Sequence, residues 1–161
     1  MQIKMSLKGL MVDPVTKTPI VVLRDESGKR ILPIWIGIFE ANAIALEVEH
    51  IKTPRPMTHD LIKSLLQQTG ASITKVAITG LVDSTYYALI TLDVNGAAVE
   101  MDSRPSDAIA LALRAGAPIY ADEEVLEKSK TMAVKDDQER SERIRKWLES
   151  LDPEDLGKYE M

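Results

Sequence analysis

The chain has 161 residues, of which 45% are apolar and 4% aromatic, and its formal net charge at pH 7 is −5. This length and apolar content indicate one ordinary domain with a sizeable core, while the charge excludes capture of nucleic acid by bulk electrostatic attraction. The chain has no cysteine, which excludes disulfides, thiol nucleophiles and cysteine metal sites.

The first third of the chain predicts strands followed by a helix. Loose alternation of apolar residues over Gln2–Asp13 is typical of a strand. Ile20–Leu23 and Arg30–Ile36 predict a hairpin, with Gly28 in its turn. The apolar period then changes, and Gly37–His50 predicts an amphipathic helix.

The second third repeats this scheme. Thr58 is a plausible N-cap for a second helix, which is predicted to stop at Gly70. Ile73–Val82 and Tyr86–Val94 predict two strands, and Asn95-Gly96 is a strong type I′ hairpin signal.

A third helix, a linker and a charged C-terminal helix complete the predicted elements. The third helix has Pro105 in its first turn and ends at Gly116. A brief helix is predicted over Asp122–Leu126, a polar linker over 128–137, and an amphipathic helix over Gln138–Leu151. The apolar stripe of this last helix consists of Ile144, Trp147, Leu148 and Leu151, and it suits docking on the core or on a partner subunit.

An internal repeat connects the two halves. Ala43–Leu46 reads AIAL, and the same four residues recur at Ala108–Leu111. Because the order of elements around the two copies also matches, the sequence predicts an α+β fold of duplicated β-β-α-type units with a mixed or antiparallel sheet. The predicted domain covers 1–127, and 128–161 forms a linker and a C-terminal helical extension.

The first segment with residues suited to chemistry is Arg55–Asp60 (RPMTHD). An arginine, an imidazole and the exposed N–H groups of a helix start could together receive a phosphate. His59 could transfer a proton near neutral pH. In the plainer interpretation, Thr58 and Asp60 cap the helix and His59 is a solvated first-turn residue.

The second such segment is Asp102–Asp107 (DSRPSD), at a predicted strand-to-helix turn. Paired carboxylates suit Mg²⁺ or Mn²⁺ and the metal-assisted cleavage of phosphodiesters. The plainer interpretation is an ion pair between Arg104 and Asp102, with a helix cap from Ser103 or Asp107.

The two segments share a pattern of Arg-Pro, then Ser or Thr, then Asp, ahead of an aliphatic helix. If their helices are neighbours, we expect both arginines and the acids to face one cleft, together with Glu40 of the first helix. The expected place of Trp35 is the core or an interface and not a base-stacking platform. The sequence contains no P-loop, G-x-G-x-x-G, G-x-S-x-G or H-E-x-x-H motif.

Three stretches in order resemble the bifunctional nuclease domain family, which was long described as a domain of unknown function. They are LPIWIGIFEANAIALEVE (Leu32–Glu49), PRPMTHDL (Pro54–Leu61) and DSRPSDAIALALRAGAPIY (Asp102–Tyr120). The resemblance covers about residues 2–127. Plant members of the family are described as degrading both RNA and DNA.

The resemblance implies hydrolysis of phosphodiester bonds, with nucleic acid as the partner. We expect Mg²⁺ or Mn²⁺ held by Asp102 and Asp107, with Arg55 and Arg104 stabilising phosphate charge and His59 relaying a proton. The motif positions that become candidate catalytic residues are Glu40, Arg55, His59, Asp60, Asp102, Arg104 and Asp107.

Two alternative functions stay open at this stage. One is a non-catalytic oligomeric or regulatory module, in which the Arg-Pro motifs form caps and interface ion pairs. The other is the binding of a small phosphorylated ligand at the two helix N-termini. Under either function we expect a homo-oligomer, most simply a dimer. No apolar run approaches 18 residues, so we expect no membrane span and a cytoplasmic location.

Overall fold

The computed structural model describes residues 1–135, 145–146 and 148–150. The strands in this part of the chain are β1 (Gln2–Val12), β2 (Pro19–Asp25), β3 (Ile31–Trp35), β4 (Ala71–Val82), β5 (Thr85–Val94), β6 (Ala97–Ser103) and β7 (Ile119–Asp122). The helices are α1 (Ile38–Val48), α2 (Thr58–Gln68), α3 (Pro105–Ala115) and α4 (Glu123–Lys135). Residues 145–146 and 148–150 are also helical.

All seven strands form one sheet in the order β3-β2-β1-β7-β4-β5-β6. Neighbouring strands are antiparallel, except that β7 is parallel to β4. The α+β class and the mixed sheet are therefore confirmed.

The predicted duplication is visible in the element order. Strands β1–β3 lead into α1, and strands β4–β6 lead into α3, so each half has one strand more than the predicted β-β-α unit. Since β7 is antiparallel to β1 and parallel to β4, the first strands of the two halves run in opposite directions.

Helices α1 and α3 pack against each other at the centre of the molecule. Their alanines are buried, because small side chains let two helix backbones approach closely. The buried alanines are Ala41, Ala43 and Ala45 of α1 and Ala108, Ala110 and Ala112 of α3.

Strand β2 is buried on both of its faces. Val21 and Leu23 point into the main core, while Ile20 and Val22 belong to a second cluster on the other face, as the alternation of side chains along a strand requires. Leu148 completes the second cluster and is 4% exposed. One residue of the predicted C-terminal stripe therefore docks on the sheet, and Ile144, Trp147 and Leu151 lie outside the described residues.

The predicted linker over 128–137 is wrong for residues 128–135, which continue α4. Glu124 and Lys128 lie one helical turn apart, and their ion pair of 2.8 Å stabilises the helix. Val125 and Leu126 are buried, and the buried Ser129 hydroxyl meets the Tyr86 hydroxyl at 3.1 Å. Within residues 123–130, whose side chains the structure describes, Val125 and Leu126 are the buried apolar residues, which gives a weak periodic signal in sequence.

Within the described residues, no helix is long and apolar enough to cross a lipid bilayer.

Candidate functional site

The two Arg-Pro segments meet through a hydrogen bond. His59 Nε2, in the first turn of α2, lies 2.9 Å from Oδ1 of Asp107 in the first turn of α3. His59 is 8% exposed, so packing of the two helices holds the imidazole against the carboxylate. His59 is therefore not the solvated first-turn residue of the plainer interpretation.

Arg104 extends this contact towards solvent. Its Nε donates a hydrogen bond of 2.9 Å to Oδ2 of Asp107, and its second terminal nitrogen lies 2.8 Å from Oε1 of Glu40. The Arg104 side chain is nevertheless 63% exposed. Glu40, Arg104, Asp107 and His59 thus form one chain of contacts, which we call the four-residue network.

Local structure around Pro105 places Arg104 and Asp107 side by side. Pro105 takes the first helical position, and Arg104 precedes it in an extended conformation as the N-cap residue. No side chain caps this helix start, and the Ser103 hydroxyl instead donates to the Arg104 carbonyl. The expected cap from Ser103 or Asp107, and the expected ion pair between Arg104 and Asp102, are both wrong.

Glu40 reaches Arg104 because residue 37 has no side chain. Gly37 is the N-cap of α1, and a Cβ built on it would overlap the Glu40 carboxylate. Gly37 has an ordinary extended backbone conformation, and any side chain at this position would require the Glu40 carboxylate to move.

Electrostatics keep Asp107 ionised. Burial tends to raise the pKa of its carboxyl group, but hydrogen bonds from Arg104 and His59 and the charge of Arg104 outweigh burial and lower the pKa. The two carboxylates in turn raise the pKa of Arg104.

An ionised Asp107 fixes the tautomer of a neutral His59. Because the carboxylate carries no proton, His59 Nε2 must be the donor, which leaves a lone pair on Nδ1. His59 Nδ1 has no hydrogen-bond partner among the residues described, and it is not an enclosed atom. The ring is thus oriented by an acid on one nitrogen and able to accept a proton on the other.

Asp60 points away from the network. Its Oδ2 accepts the Met57 N–H at 2.9 Å, and its Oδ1 accepts Nε of Arg114 at 2.8 Å. Met57 and not Thr58 is the N-cap of α2. The capping interpretation is confirmed for Asp60, and its second contact ties α2 to α3.

Arg114 is a buried hub that the sequence reasoning missed. Its side chain is 3% exposed, and beyond Asp60 it donates to the carbonyls of Ala110 and Ala43, which joins α3 to α1. The available signal was an arginine inside the aliphatic run AIALALRAG, seven residues after Asp107. A charge in a buried helix requires a partner.

Arg55 lies in a cleft beside the network. The cleft has a volume of about 310 Å³ between the end of α1, the proline-containing loop and the first half of α2. Asp60 and Arg114 line it as well, whereas no member of the four-residue network does. The two Arg-Pro corners are thus adjacent, but Arg55 and Arg104 do not line the same cleft.

Sequence comparison assigns the chain to a family. The profile of the bifunctional nuclease domain matches residues 21–133. The chain belongs to the bifunctional nuclease family. The matched region contains every candidate residue identified from the sequence.

Relatives of this bifunctional nuclease family member fall into two groups. An uncharacterised protein of Mycobacterium tuberculosis strain H37Rv is 40% identical over 159 residues, covering 92% of this chain and 94% of that protein. Bifunctional nuclease 1 of Oryza sativa subsp. japonica is 30% identical over 110 residues, covering 65% of this chain and 33% of that protein. Bifunctional nuclease 1 of Arabidopsis thaliana is 30% identical over 105 residues, covering 63% of this chain and 32% of that protein. The matched region spans about a third of each plant protein's length.

The predicted metal ligands do not form a closed coordination sphere. Both oxygens of Asp107 already accept hydrogen bonds, and Asp102 lies exposed on β6, paired across the sheet with Leu89. Among the described residues, no three His, Asp or Glu side chains converge on a point that could hold a metal ion. The residues therefore do not fit a three-ligand site, and metal dependence stays a prediction.

Proposed function

We propose that this protein hydrolyses phosphodiester bonds of RNA or DNA, with His59 as the proton-transferring residue. The 2.9 Å contact between His59 and Asp107 carries the proposal, because it joins a base to an orienting acid across two separate motifs. Membership of the bifunctional nuclease family supports the choice of phosphodiesters as substrate class.

The proposed reaction is a hydrolysis in which the residues of the network act on a water molecule and on the phosphate. His59 Nδ1 accepts a proton from a water molecule while the water oxygen bonds to phosphorus. The bond from phosphorus to the leaving oxygen breaks, that oxygen takes a proton from solvent water, and the imidazolium afterwards returns its proton to solvent. Asp107 holds the ring and stabilises the imidazolium while it carries the transferred proton.

Arg104 is placed to bind the phosphate. A guanidinium has five N–H donors, and Arg104 uses two of them on Asp107 and Glu40, so three remain for the oxygens of a substrate. These contacts strengthen as negative charge develops in the transition state. The exposed position of this side chain lets a strand approach it from solvent.

The test is cleavage of end-labelled single-stranded RNA and DNA by highly purified protein. His59→Gln and Asp107→Asn should each lower kcat by about 10²-fold or more, the usual contribution of general acid–base catalysis. His50→Asn is the matched control, since His50 is the only other histidine and is exposed. Wild-type cleavage by either site variant would mean that the activity arises elsewhere or from a contaminant.

The metal prediction is tested in the same assay. Cleavage is measured in EDTA and after addition of Mg²⁺ or Mn²⁺, with Asp102→Asn beside the wild type. Activity that requires the metal and is lost in Asp102→Asn would support the predicted ligands. Full activity in EDTA would mean that cleavage does not require a metal ion, which would contradict the metal prediction.

A further inference from the structure

The cleft beside the network contains positive charge that the proposed chemistry does not use. Lys52 and Arg55 line it, and neither forms an ion pair with any acid among the residues described. Arg114 also lines it, but Arg114 is paired with Asp60. Glu47 is the remaining acid in the lining, so the two unpaired cations give the cleft a local positive charge on an acidic chain.

The loop that carries Arg55 is ordered before any ligand binds. Pro54 and Pro56 flank Arg55 and fix the backbone on both sides. The Thr53 hydroxyl donates to the Arg55 carbonyl at 2.6 Å, which closes the loop on itself. Because the backbone of this loop is already constrained, little backbone entropy is lost when Arg55 binds an anion.

The cleft and the network lie one beside the other along α3. Asp107 of the network contacts His59, and Arg114 at the cleft contacts the next residue, Asp60. Seven residues separate Asp107 from Arg114, which is about 10 Å of helix at about 1.5 Å per residue. This is the spacing of Asp107 and Arg114 along α3. A stacked nucleic-acid strand, which rises about 3.4 Å per nucleotide, covers that spacing in about three nucleotides.

We propose that this cleft binds a second, non-scissile phosphate of the strand that is cleaved at the four-residue network. The assignment of the strand rests on the proposed function, whereas the binding of a phosphate to Lys52 and Arg55 does not. The site then selects oligonucleotides long enough to reach both positions, and a dinucleotide reaches only one.

The first experiment measures binding without turnover. A fluorescently labelled 12-nucleotide oligothymidylate is titrated into the His59→Gln protein, with and without Lys52→Gln and Arg55→Gln together. The double substitution should raise Kd about tenfold and reduce the slope of log K against log salt by about 1. The matched control is Arg24→Gln with Lys29→Gln. It removes two exposed positive charges that do not line the cleft and should change Kd less than twofold.

The second experiment measures turnover in the protein with His59 intact. Lys52→Gln with Arg55→Gln should raise KM for the 12-nucleotide substrate and leave its kcat unchanged, and cleavage of a dinucleotide should not respond. Equal Kd values for the double variant and its parent, or an equal loss on the dinucleotide, would overturn the proposal. Thermal unfolding of each variant checks that a loss does not come from misfolding.

The two proposals fail in different ways. Binding that depends on Arg55 in a protein without nuclease activity would remove the proposed function and leave the phosphate site. Cleavage that depends on His59, with no effect of Lys52 or Arg55 on Kd or KM, would remove the phosphate site alone.

Discussion

Asp107 uses its two oxygens for two different tasks. One oxygen orients His59, and the other holds Arg104, which Glu40 holds from its far side. The imidazole and the guanidinium are consequently fixed relative to each other by one side chain. Such pre-organisation is what a site needs to hold a base and an anion-binding group in productive geometry.

Substitution at Gly37 tests how Glu40 is positioned. Gly37→Ala places a methyl group where the Glu40 carboxylate lies, so the carboxylate must move and its ion pair with Arg104 should weaken. We expect a fall in kcat/KM of about tenfold, equivalent to about 1.4 kcal/mol for one charge-assisted contact. Glu40→Gln should have a similar effect, and adding Gly37→Ala to it should change little.

The control for this prediction is Gly80→Ala. A Cβ at Gly80 would meet Tyr87 no closer than 3.5 Å, which is ordinary contact, so activity should be unaffected. An unchanged kcat/KM in Gly37→Ala would contradict the positioning of Glu40 described above.

Asp60 and Asp107 make stability depend on pH in the acid range. Burial tends to raise the pKa of Asp60, but the Met57 N–H and the Arg114 guanidinium outweigh burial and lower the pKa. The pKa of Asp107 is lowered by its contacts with Arg104 and His59. In unfolded chains an aspartate has a pKa of about 3.9. The two carboxyl groups therefore stabilise the folded state above about pH 4. This stabilisation is lost as the pH falls through their pKa values in the folded protein, because the unfolded state then binds more protons.

Urea unfolding between pH 2.5 and pH 6 measures this effect. The free energy of unfolding should be level at the upper end and fall below about pH 4. In Asp60→Asn the fall should be shallower, because one of the carboxyl groups with a lowered pKa no longer titrates. A wild-type free energy that is constant down to pH 2.5 would contradict the lowered pKa values.

At the scale of elements, the β4–β5 hairpin contains a turn of unusual composition. Asp83 and Ser84 connect the strands with φ values of 49° and 63°, the left-handed region that a type I′ turn requires and glycine tolerates best. The β5–β6 hairpin has Asn95-Gly96 in the corresponding place, with φ values of 53° and 89°. One hairpin thus has the preferred turn residues and the other does not.

Replacing Asp83-Ser84 by Asn-Gly should stabilise the protein. Each L-residue in the left-handed region costs about 1 kcal/mol, so we expect a gain of about 1 kcal/mol and a rise in Tm of about 2–4 °C for a chain of this size. Differential scanning calorimetry measures the change. Gly96→Ala places a side chain at a residue with a positive φ and should lower Tm. A fall in Tm for the Asn-Gly variant at positions 83 and 84 would contradict the assigned turn.

Local sequence patterns predicted the elements better than the contacts between them. Alternation, the Asn95-Gly96 turn and the stop at Gly116 correctly indicated strands, a hairpin and the end of α3. Helix α4 was predicted too short, because ion pairs and only two buried apolar residues, Val125 and Leu126, support its first turns.

The site was predicted in part for a similar reason. Shared Arg-Pro patterns suggested that the two segments would be neighbours, and the contact between His59 and Asp107 joins them. The pairing of Asp60 with the buried Arg114 and the separate cleft of Arg55 follow from how α2 is rotated against α3. Helix rotation depends on packing over the whole interface, and no short segment encodes it.

At the scale of the whole molecule, the charge distribution decides how a nucleic acid can bind. The chain carries −5 overall, so a phosphate backbone is repelled at a distance, and the exposed Lys52, Arg55 and Arg104 offset this repulsion at the proposed site. We expect weak binding that falls steeply with salt.

Exposed apolar side chains keep the predicted homodimer as a testable expectation. Trp35 is 39% exposed, with its indole N–H bonded to Asp13, and Phe39 nearby in sequence is 84% exposed; on the edge strand β6, Val99 and Met101 are exposed as well. Trp35 is thus not a core residue.

For a dimer, light scattering should give twice the mass of one chain. Phe39→Ser and Val99→Lys, tested separately, identify which of the two exposed apolar patches the second subunit covers. A single-chain mass at about 100 µM, far above the concentrations at which stable interfaces assemble, would contradict the dimer.

The most direct test of the central claim is a double-mutant cycle of kcat on His59 and Asp107. If the two residues act as one unit, His59→Gln and Asp107→Asn each lower kcat by about 10²-fold or more, and the double variant is no more than a few-fold worse than the weaker single variant. Losses that multiply, to about 10⁴-fold or more in the double variant, would show that the residues act independently. Such a result would contradict catalysis by a His59–Asp107 pair.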